Sequence, residues 1–324
     1  MRLMFVGFLC AVSAISTKVL AAEAEIVTYK EMCDASAAVA LDKDHFVVGD
    51  DEMNTLRIYK RGQSSSIKQV DLSKFLDTKP DKESDLEGAA RIGDTIYWIS
   101  SHGTNKDGKV QDRRRRFFAT TVDTTSSPPG LKPIGAAYSK LVENLSSDPR
   151  FAKYKLAEAA KKPPKTNGAF NIEGLADGGN NKLLIGFRNP LPENKALVVT
   201  LENPTDLIEG KGEAKFGNPI ELDLKGRGVR SIEKVGGSYL IVAGPYDGKK
   251  DFVLFRWSGK ESGEGIEKLE TPAMNALFPE AMFEIPGTGE VQVLSDDGSL
   301  TVGAGECKDA PRSEQAFRSV ILKP

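Results

Sequence analysis

The amino-acid sequence predicts an all-β fold, a five-bladed β-propeller that is closed by its own N-terminal strand. First, a short motif recurs five times, and each copy is followed by β-rich segments separated by Gly, Asn and Asp. Second, the last repeat lacks its fourth strand, whereas a spare strand at residues 25–30 precedes the first repeat. Third, Cys33 and Cys307 stand where the two ends of such a ring would meet.

The beginning of the chain has the pattern of an export signal. Arg2 supplies a basic start, residues 3–15 are almost wholly apolar or small, and small residues suited to cleavage follow. We therefore expect a signal peptide over residues 1–22 and a single propeller domain over residues 23–324, in a periplasmic or secreted protein. The apolar stretch is too short to span a bilayer, so we expect no membrane insertion after cleavage.

The composition of the 324 residues excludes several classes of function. Hydrophobic residues make up 40% of the chain, which is enough for a full core at this length. Lys and Arg number 44 against 46 Asp and Glu, for a net charge of −2, so the basic field of a nucleic-acid-binding protein is missing. The sequence also contains no P-loop, GxSxG, zinc-ligand or dinucleotide-binding pattern.

The recurring motif is an acidic residue followed by Gly or another small residue at the start of a strand. Two copies are nearly identical, at residues 85–89 (DLEGA) and 171–175 (NIEGL). The copies around Glu233 and Glu280 are degenerate, and the first copy has Ser36 in place of the acid. The first strand of a propeller blade lines the central channel. We therefore expect four acids to ring one mouth of the channel: Glu87, Glu173, Glu233 and Glu280.

Each copy of the motif begins the first strand of a blade, and up to three further strands follow it. The second strands are predicted at residues 45–49, 95–100, 182–187, 238–243 and 290–294. The third strands are predicted at residues 55–60, 116–122, 196–201, 252–257 and 317–322. Fourth strands complete four of the blades, at residues 67–72, 131–136, 219–224 and 265–269. The spare strand completes the fifth blade and removes the exposed sheet edges.

The spacing of the copies has one exception. Glu87 and Glu173 are 86 residues apart, against 51, 60 and 47 residues for the other intervals. The excess, residues 138–165, has apolar residues at helical spacing, and Asp148 followed by Pro149 is a suitable helix start. We therefore expect a helical insertion between blades 2 and 3. A degenerate sixth blade is the alternative interpretation.

Removal of the signal leaves Cys33 and Cys307 as the two cysteines of the mature chain. In an oxidising compartment, a pair separated by nearly the whole chain predicts a disulfide that joins the two ends. For a loop of this length the chain-entropy estimate has an upper value of roughly 5 kcal/mol. Two free thiols are the alternative, and a metal site is disfavoured because neither cysteine has a neighbouring His or Cys.

The motif and the loops that follow it resemble those of a bacterial family, the domain of unknown function 3616. The resemblance rests on six segments, at residues 85–89, 101–103, 106–116, 171–175, 186–190 and 196–199. It covers most of the mature chain and implies a propeller. The family is similar to phytase-like esterase propellers and, more distantly, to gluconolactonase-type calcium propellers. In the latter a Glu before Gly on an innermost strand is a metal ligand, which implies such a role for Glu87 and Glu173.

Four carboxylates around one channel need compensation for their charge. Two carboxylates ~8 Å apart at an effective dielectric constant near 20 repel each other by roughly 2 kcal/mol. The four acids must therefore be protonated, pair with arginine or bind a cation. Because a site built only from oxygen ligands suits Ca²⁺ or Mg²⁺, we expect the four glutamates to bind Ca²⁺. The alternative is that each glutamate accepts hydrogen bonds from backbone N–H groups of the adjacent blade.

The loops after the second strands are expected to open near the axis, and they carry the other candidate residues. His102 lies in a Gly-flanked loop, a suitable position for acid–base catalysis, and a solvated loop residue is the alternative. Arg188 is expected either to bind an anionic group bidentately or to neutralise Glu173. A basic run forms the strongest positive patch and is expected to bind anions if it folds toward the mouth: Lys109, Arg113 and Arg114. Four aspartates are interpreted as turn residues: Asp50, Asp51, Asp296 and Asp297.

These residues are consistent with three functions. The first is a metal-dependent hydrolase of phosphoesters or other anionic esters, with Glu87 at the metal, His102 as acid or base and Arg188 binding the anion. The second is a non-catalytic ligand- or protein-binding scaffold, whose carboxylates would all be satisfied by backbone or arginine. The third is a carboxylate glycosidase, which is disfavoured because Trp98 and Trp257 lie inside strands. We favour the first function, in a monomer that takes a small anionic substrate or ligand.

Overall fold

The structure is a computed structural model, and it describes residues 25–324. Over these residues the chain forms five four-stranded antiparallel sheets, arranged as a five-bladed β-propeller. The predicted fold class is therefore confirmed, and the six-bladed alternative is wrong. The predicted signal peptide, residues 1–22, lies outside the described residues.

The strands follow one another outward from the channel in each blade. The first strand of the described chain, β1 (Ile26–Lys30), belongs to blade 5. Blade 1 contains β2 (Ala35–Ala40), β3 (His45–Asp50), β4 (Thr55–Lys60) and β5 (Lys68–Asp71). Blade 2 contains β6 (Leu86–Ile92), β7 (Thr95–Ser100), β8 (Phe117–Asp123) and β9 (Gly130–Tyr138). Blade 3 contains β10 (Asn171–Gly179), β11 (Lys182–Asn189), β12 (Ala196–Leu201) and β13 (Phe216–Leu222).

The last two blades complete the ring. Blade 4 contains β14 (Gly228–Val235), β15 (Ser238–Gly244), β16 (Val253–Trp257) and β17 (Ile266–Leu269). Blade 5 contains β18 (Pro279–Glu284) and β19 (Val291–Ser295), followed after a small hairpin of β20 (Thr301–Val302) and β21 (Gly305–Glu306) by β22 (Ala316–Leu322). The innermost strands of neighbouring blades contact one another around the whole ring, including β18 and β2.

The two ends of the chain close the ring as predicted. Strand β1 pairs antiparallel with β22, so that Ile26 lies opposite Val320 and Lys30 lies opposite Ala316. A disulfide joins Cys33 and Cys307, whose Cα atoms are 6.0 Å apart. Both connections therefore hold blade 5 to the start of blade 1.

The glycine of the motif is explained by the approach of neighbouring blades. A Cβ atom at Gly174 would lie 2.7 Å from Cγ1 of Val229, on the innermost strand of the next blade. A Cβ atom at Gly88 would lie 3.1 Å from Cβ of Leu175, again on the next blade. A larger residue would push the innermost strands apart, so glycine at these positions permits the close approach of neighbouring blades.

Helices occupy the predicted insertion between blades 2 and 3. They are α1 (Leu141–Ser147), a 3₁₀ helix (Pro149–Tyr154) and α2 (Leu156–Ala159). The Asp148 side chain accepts a hydrogen bond from the Arg150 N–H at 3.0 Å, as the predicted helix start requires. Lys155 has a left-handed backbone (φ 50°) and separates the 3₁₀ helix from α2. A further short helix, α3 (Pro204–Ile208), lies within blade 3.

The hydrophobic core lies between the faces of neighbouring blades. Between blades 5 and 1, for example, Phe46 stacks on Tyr59 and on Phe283. The insertion packs on blade 3 through Phe151, whose ring meets that of Phe216. Among the helices of residues 25–324, none is long and apolar enough to cross a membrane.

Candidate functional site

A β-bulge in every innermost strand places one side chain of each blade at the channel axis. In each case the pairing with the second strand skips one residue near the start of the first strand. A bulge of this kind re-aims the extra side chain. The five skipped residues are Ser36, Glu87, Glu173, Arg230 and Glu280.

This register corrects the position expected for Glu233. Arg230, not Glu233, is the axial residue of blade 4. Glu233 lies three residues further along β14, where it accepts a hydrogen bond from the backbone N–H of Glu284 at 3.1 Å. It lines a cavity with Arg91 at the other end of the innermost strands, and burial raises its pKa to about 8. The motif predicted the wrong residue in blade 4 because the axial position there carries Arg instead of Glu.

Arg230 neutralises the axial acids on both sides of it. Its Nη1 atom lies 2.8 Å from Oε2 of Glu173, and its Nη2 atom lies 2.7 Å from Oε1 of Glu280. Burial lowers the pKa of Arg230, but these two carboxylates outweigh burial and raise it, so the guanidinium remains charged. Arg188 donates a hydrogen bond to the other oxygen of Glu173, Oε1, at 2.6 Å. Arg188 therefore has the second of its two expected roles, as a partner of Glu173, and it also lines the cavity where an anion could bind.

Glu87 is the axial acid that receives no such compensation. It is only 6% exposed, and across residues 25–324 neither a hydrogen bond nor an ion pair reaches its carboxylate. Burial raises the pKa of Glu87 well above its usual range, and the carboxylates of Glu173, Asp85 and Glu280 raise it further, whereas the charge of Arg230 opposes them with a smaller effect. A buried acid of this kind must stay protonated or bind a cation.

Asp51 and Asp85 bring two more carboxylates to Glu87. One oxygen of each of the three residues lies within 4.8 Å of the others. Asp51 follows β3, and its Oδ1 atom is buried with no hydrogen-bond partner in the part of the chain that the structure describes. Burial raises the pKa of Asp51, and the charges of Asp34 and Glu87 add to this effect. The three acids come from blades 1 and 2.

These residues open onto a cavity of about 290 Å³ at the mouth of the channel. Blades 5, 1 and 2 supply the acids that line it: Asp34, Asp51, Glu52, Asp85, Glu87, Glu280 and Asp296. The lining bases come mostly from blades 3 and 4 and the end of the insertion: Lys165, Arg188, Arg230 and Lys249, with Arg114 from blade 2 and Lys308 from blade 5. The cavity therefore has an acidic side and a basic side.

The expected anion-binding patch is divided by the fold. Arg114 lines the cavity and lies 3.2 Å from Oδ2 of Asp85. Arg113 instead pairs with Glu83 at 3.1 Å, outside the cavity lining, and Lys109 is exposed on the loop surface. Of the three residues expected to bind anions, Arg114 therefore lies at the cavity, and Arg113 and Lys109 do not.

Asp85 is held by two neighbours. Burial raises its pKa, whereas the charge of Arg114 opposes this effect. The hydroxyl of Ser101, the residue after β7, also donates a hydrogen bond to its carboxylate. Both contacts hold the Asp85 carboxylate in one orientation at the cavity wall.

His102 does not face the cavity, contrary to the expectation of an acid–base residue there. It is fully buried, and its Nδ1 atom lies 2.8 Å from the carbonyl oxygen of Ser100. Burial lowers its pKa to about 4, so it is neutral at physiological pH. The preceding residue, Ser101, lines the cavity instead. The solvated-loop alternative for His102 is wrong for the same reason.

Sequence reasoning missed several residues of the site. Asp51 and Asp296 were expected to be turn residues, yet both line the cavity. Asp34 directly follows Cys33, and Lys165 ends the insertion, so neither belongs to a repeated position. The sequence did contain an indication for Asp51, because it directly follows the second strand of its blade, as the loop that carries His102 does in the next blade.

Several known proteins are similar to this chain. A family model described as "Protein of unknown function (DUF3616)" matches residues 34–125 and 131–288. No curated protein matches the chain. Glutaminyl cyclase of Myxococcus xanthus has 12% identity and a TM-score of 0.46, over 92% of this chain and 96% of that one. A putative oxidoreductase (glucose dehydrogenase) of Thermus thermophilus has 12% identity and a TM-score of 0.44, over 92% and 100%.

Proposed function

This chain belongs to the DUF3616 family, and we propose that it is a divalent-cation-dependent hydrolase of phosphoesters or other small anionic esters. One observation carries the proposal. Glu87 is a buried carboxylate that lacks a partner among residues 25–324, and it lies within coordination reach of Asp51 and Asp85 at an open cavity.

The donor set fits a hard cation. Asp51, Asp85 and Glu87 offer only oxygen atoms, which Ca²⁺ and Mg²⁺ prefer, and two ligands of one Ca²⁺ lie at most about 5 Å apart. The 4.8 Å limit on their separation meets this requirement. When bound, Ca²⁺ would supply Lewis-acid polarisation of the ester and neutralise developing charge.

The basic side of the cavity supplies the contacts to the substrate. Arg188 is anchored by Glu173 and by the carbonyl oxygen of Pro245 at 3.3 Å, so its guanidinium is held in place at the cavity. Lys165 and Lys249 approach the cavity from the insertion and from blade 4. An anionic group facing these side chains would be bound by charge-assisted hydrogen bonds, with its ester bond toward the acidic side.

His102 has no acid–base role in the proposal, because it is fully buried and lies outside the cavity lining. Glu280 lines the cavity, but its Oε1 atom lies 2.7 Å from Nη2 of Arg230, so it remains the ion-pair partner of that arginine.

A cation-dependence experiment tests this function. Mature protein is stripped with EDTA and dialysed, and its Tm and its turnover of a panel of p-nitrophenyl phosphates and esters are measured with and without Ca²⁺, Mg²⁺ or Mn²⁺. We expect Ca²⁺ at 100 times its Kd to raise the Tm by about 5 °C and to restore turnover. A Tm indifferent to all three cations, together with no turnover on the panel, would overturn the proposal.

A matched pair of variants makes the assignment specific. Glu87→Gln should remove both the Ca²⁺-dependent shift in Tm and the turnover. Glu202→Gln removes an exposed acid that pairs with Lys182 far from the cavity, and it should leave both unchanged. Loss of the response in both variants would mean that the effect of Ca²⁺ lies elsewhere.

A non-catalytic binding scaffold is the second candidate, and one observation favours it. Arg188 and Arg230 neutralise Glu173 and Glu280, as a purely structural ring of acids would require. The open cavity and the uncompensated Glu87 favour the hydrolase. Ca²⁺ binding without turnover of any ester would support the scaffold. A glycosidase is disfavoured, since Trp98 and Trp257 are fully buried and offer no face to a sugar.

The proposal places the protein in the periplasm or the medium, as a monomer with a small anionic substrate. The Cys33–Cys307 disulfide supports an oxidising compartment. The signal-like beginning of the sequence supports export. Intact-mass measurement of protein from the periplasmic fraction would detect cleavage after residue 22, and light scattering would give the mass of the particle in solution. A full-length mass in the cytoplasm would contradict export.

A further inference from the structure

We propose a second divalent-cation position beside the first, held by Asp34, Asp50 and Asp51, so that Asp51 is shared between two ions. One oxygen of each of these three residues lies within 4.8 Å of the others, as in the group of Asp51, Asp85 and Glu87. The inference rests on the proposed function and deepens it, because it adds a second ion to the same cavity.

The surroundings of Asp34 also indicate a bound cation, apart from its distance to Asp50 and Asp51. It is 6% exposed and lines the cavity, where its carboxyl group lies against that of another acid, Asp296. Over the described part of the chain its carboxylate has neither an N–H donor nor a basic partner. Gly298 lies against this carboxylate so closely that a Cβ atom there would overlap Oδ1 of Asp34. Backbone therefore packs directly against the Asp34 carboxylate, which also lines the cavity.

Asp50 is equally buried and only partly satisfied. Its Oδ1 atom accepts the backbone N–H of Glu52 at 2.9 Å. The guanidinium of Arg57 is near enough to lower the pKa of Asp50 against the larger effect of burial, yet the two side chains form no ion pair within residues 25–324. Arg57 thus supplies one positive charge against three carboxylates, which leaves negative charge uncompensated.

The other cations near this group are committed elsewhere. The Lys308 ammonium, next to Cys307, pairs with Glu52 at 3.3 Å. Arg114 pairs with Glu83 and Asp85 on the far side of Glu87. A divalent ion among Asp34, Asp50 and Asp51 would supply the missing positive charge through oxygen ligands, the type that Ca²⁺ prefers.

A shared carboxylate narrows the substrate class within the proposed function. Sites of two divalent ions occur in phosphatases and nucleases, where they stabilise the attacking and leaving oxygens of a phosphoester, and also in aminopeptidases. Two ions together with a basic side of the cavity favour phosphoesters, because a phosphoester keeps a negative charge and a simple carboxylic ester does not. Lys165, Arg188 and Lys249 on the opposite side of the cavity agree with a substrate that keeps a negative charge.

The stoichiometry of Ca²⁺ binding tests the inference. Metal-stripped mature protein is titrated with Ca²⁺ alone by calorimetry, and bound calcium is counted after equilibrium dialysis. We expect two ions per chain in the wild type and one ion in Asp34→Asn and in Glu87→Gln, and at least a tenfold weaker affinity for both ions in Asp51→Asn. Asp81→Asn, which removes an exposed acid paired with Lys82, should keep two ions.

The outcomes separate this inference from the proposed function. A single ion in the wild type that Asp34→Asn leaves in place would overturn the second position, while the first position and the hydrolase stand. Two ions that both persist in Asp34→Asn would also overturn the assignment. The absence of any bound ion would overturn the proposed function as well. If the far-ultraviolet spectrum shows that Asp34→Asn is unfolded, Asp50→Asn replaces it in the same measurement.

Discussion

The Nη1 atom of Arg230 lies 2.8 Å from the Oε2 atom of Glu173 on the channel axis, where both side chains are almost completely buried. The same guanidinium reaches Glu280 on its other side at 2.7 Å. One arginine of blade 4 thereby neutralises the axial acids of blades 3 and 5. Glu87 in blade 2 is left out of this network, and the cation-binding hypothesis follows from that asymmetry.

We expect Arg230→Gln to lower the free energy of unfolding by about 3–5 kcal/mol, because it leaves two buried carboxylates without their shared cation. Urea denaturation at pH 7 measures this loss. Arg227→Gln is the matched control, since it removes an arginine of the same blade whose partner, Asp251, is exposed, and it should cost less than about 1 kcal/mol. An equal decrease in the free energy of unfolding in the two variants would show that the buried axial ion pairs stabilise the protein no more than an exposed ion pair does.

We expect metal-free Glu87→Gln to be about 1 kcal/mol more stable than the metal-free wild type, because glutamine fills the same space and buries no carboxylate. Thermal unfolding in EDTA measures this gain. Addition of Ca²⁺ should reverse the order, since only the wild type binds the ion through this residue. If Glu87→Gln is less stable than the wild type in EDTA, the buried carboxylate is not destabilising. If its Tm still rises on addition of Ca²⁺, Glu87 is not a ligand of the ion.

The buried His102 predicts a loss of stability in mild acid. Burial lowers its pKa to about 4 in the folded state, whereas in the unfolded chain it is about 6.5. The folded protein binds this proton less tightly, so the contribution of His102 is complete above pH 6.5 and is lost as the pH falls from 6.5 through 4. At pH 4.5 the loss should be about 2–3 kcal/mol.

His102→Asn should remove this component of the pH dependence. Asparagine tolerates the positive φ of 56° at this position better than most residues. Urea midpoints of both proteins at pH 7.5 and pH 4.5 give the comparison, with pH 7.5 as the control for folding. If the two proteins lose the same stability between these pH values, His102 is not a neutral buried group.

The close approach of blades 3 and 4 predicts that Gly174→Ala costs about 1–3 kcal/mol, since the new Cβ would lie 2.7 Å from Val229 and 2.9 Å from Ile232. Val229→Ala in the same chain should recover part of that loss by removing the clashing methyl groups. Gly237→Ala has no heavy atom within 4 Å of its new Cβ, so it should be neutral or slightly stabilising. Chemical denaturation of the wild type, the two single glycine variants and the Gly174→Ala/Val229→Ala double variant measures these differences. A Gly174→Ala protein as stable as the wild type would contradict the close approach of blades 3 and 4.

The disulfide should matter for the site as well as for stability. Replacing Cys33 and Cys307 together by Ser should lower the free energy of unfolding by about 2–5 kcal/mol. It should also weaken Ca²⁺ binding, because Cys33 directly precedes Asp34 and its carbonyl oxygen accepts the N–H of Asp297 at 2.9 Å. Calorimetric titration with Ca²⁺ at 15 °C, where the variant is still folded, separates the two effects. An unchanged affinity would show that the ring holds Asp34 in place without the bridge.

The sequence was sufficient for the architecture because each element leaves a local trace. Alternating strands, turn residues and the repeated Glu-Gly motif identify the blades, and the spare strand at residues 25–30 with the cysteine pair identifies how the ring closes. The same reasoning placed Glu87, Glu173 and Glu280 together correctly. The prediction that Glu233 lies on the axis was wrong, because the axial position of β14 is occupied by Arg230 rather than by an acid. In the sequence, the copies of the motif could be aligned only by their acidic residue, and blade 4 has none at that position.

By itself, the sequence determined that this chain is a closed five-bladed ring with acids at its hub, since strand periodicity and repeat spacing are properties of consecutive residues. Only the tertiary structure decided which of those acids are paired, that His102 turns away from the cavity while Ser101 lines it, and that Asp34 and Asp51 approach Glu87. The physical reason is that charge compensation depends on distances between side chains of different blades. Those distances are set by bulges and by blade packing, which no short stretch of sequence encodes.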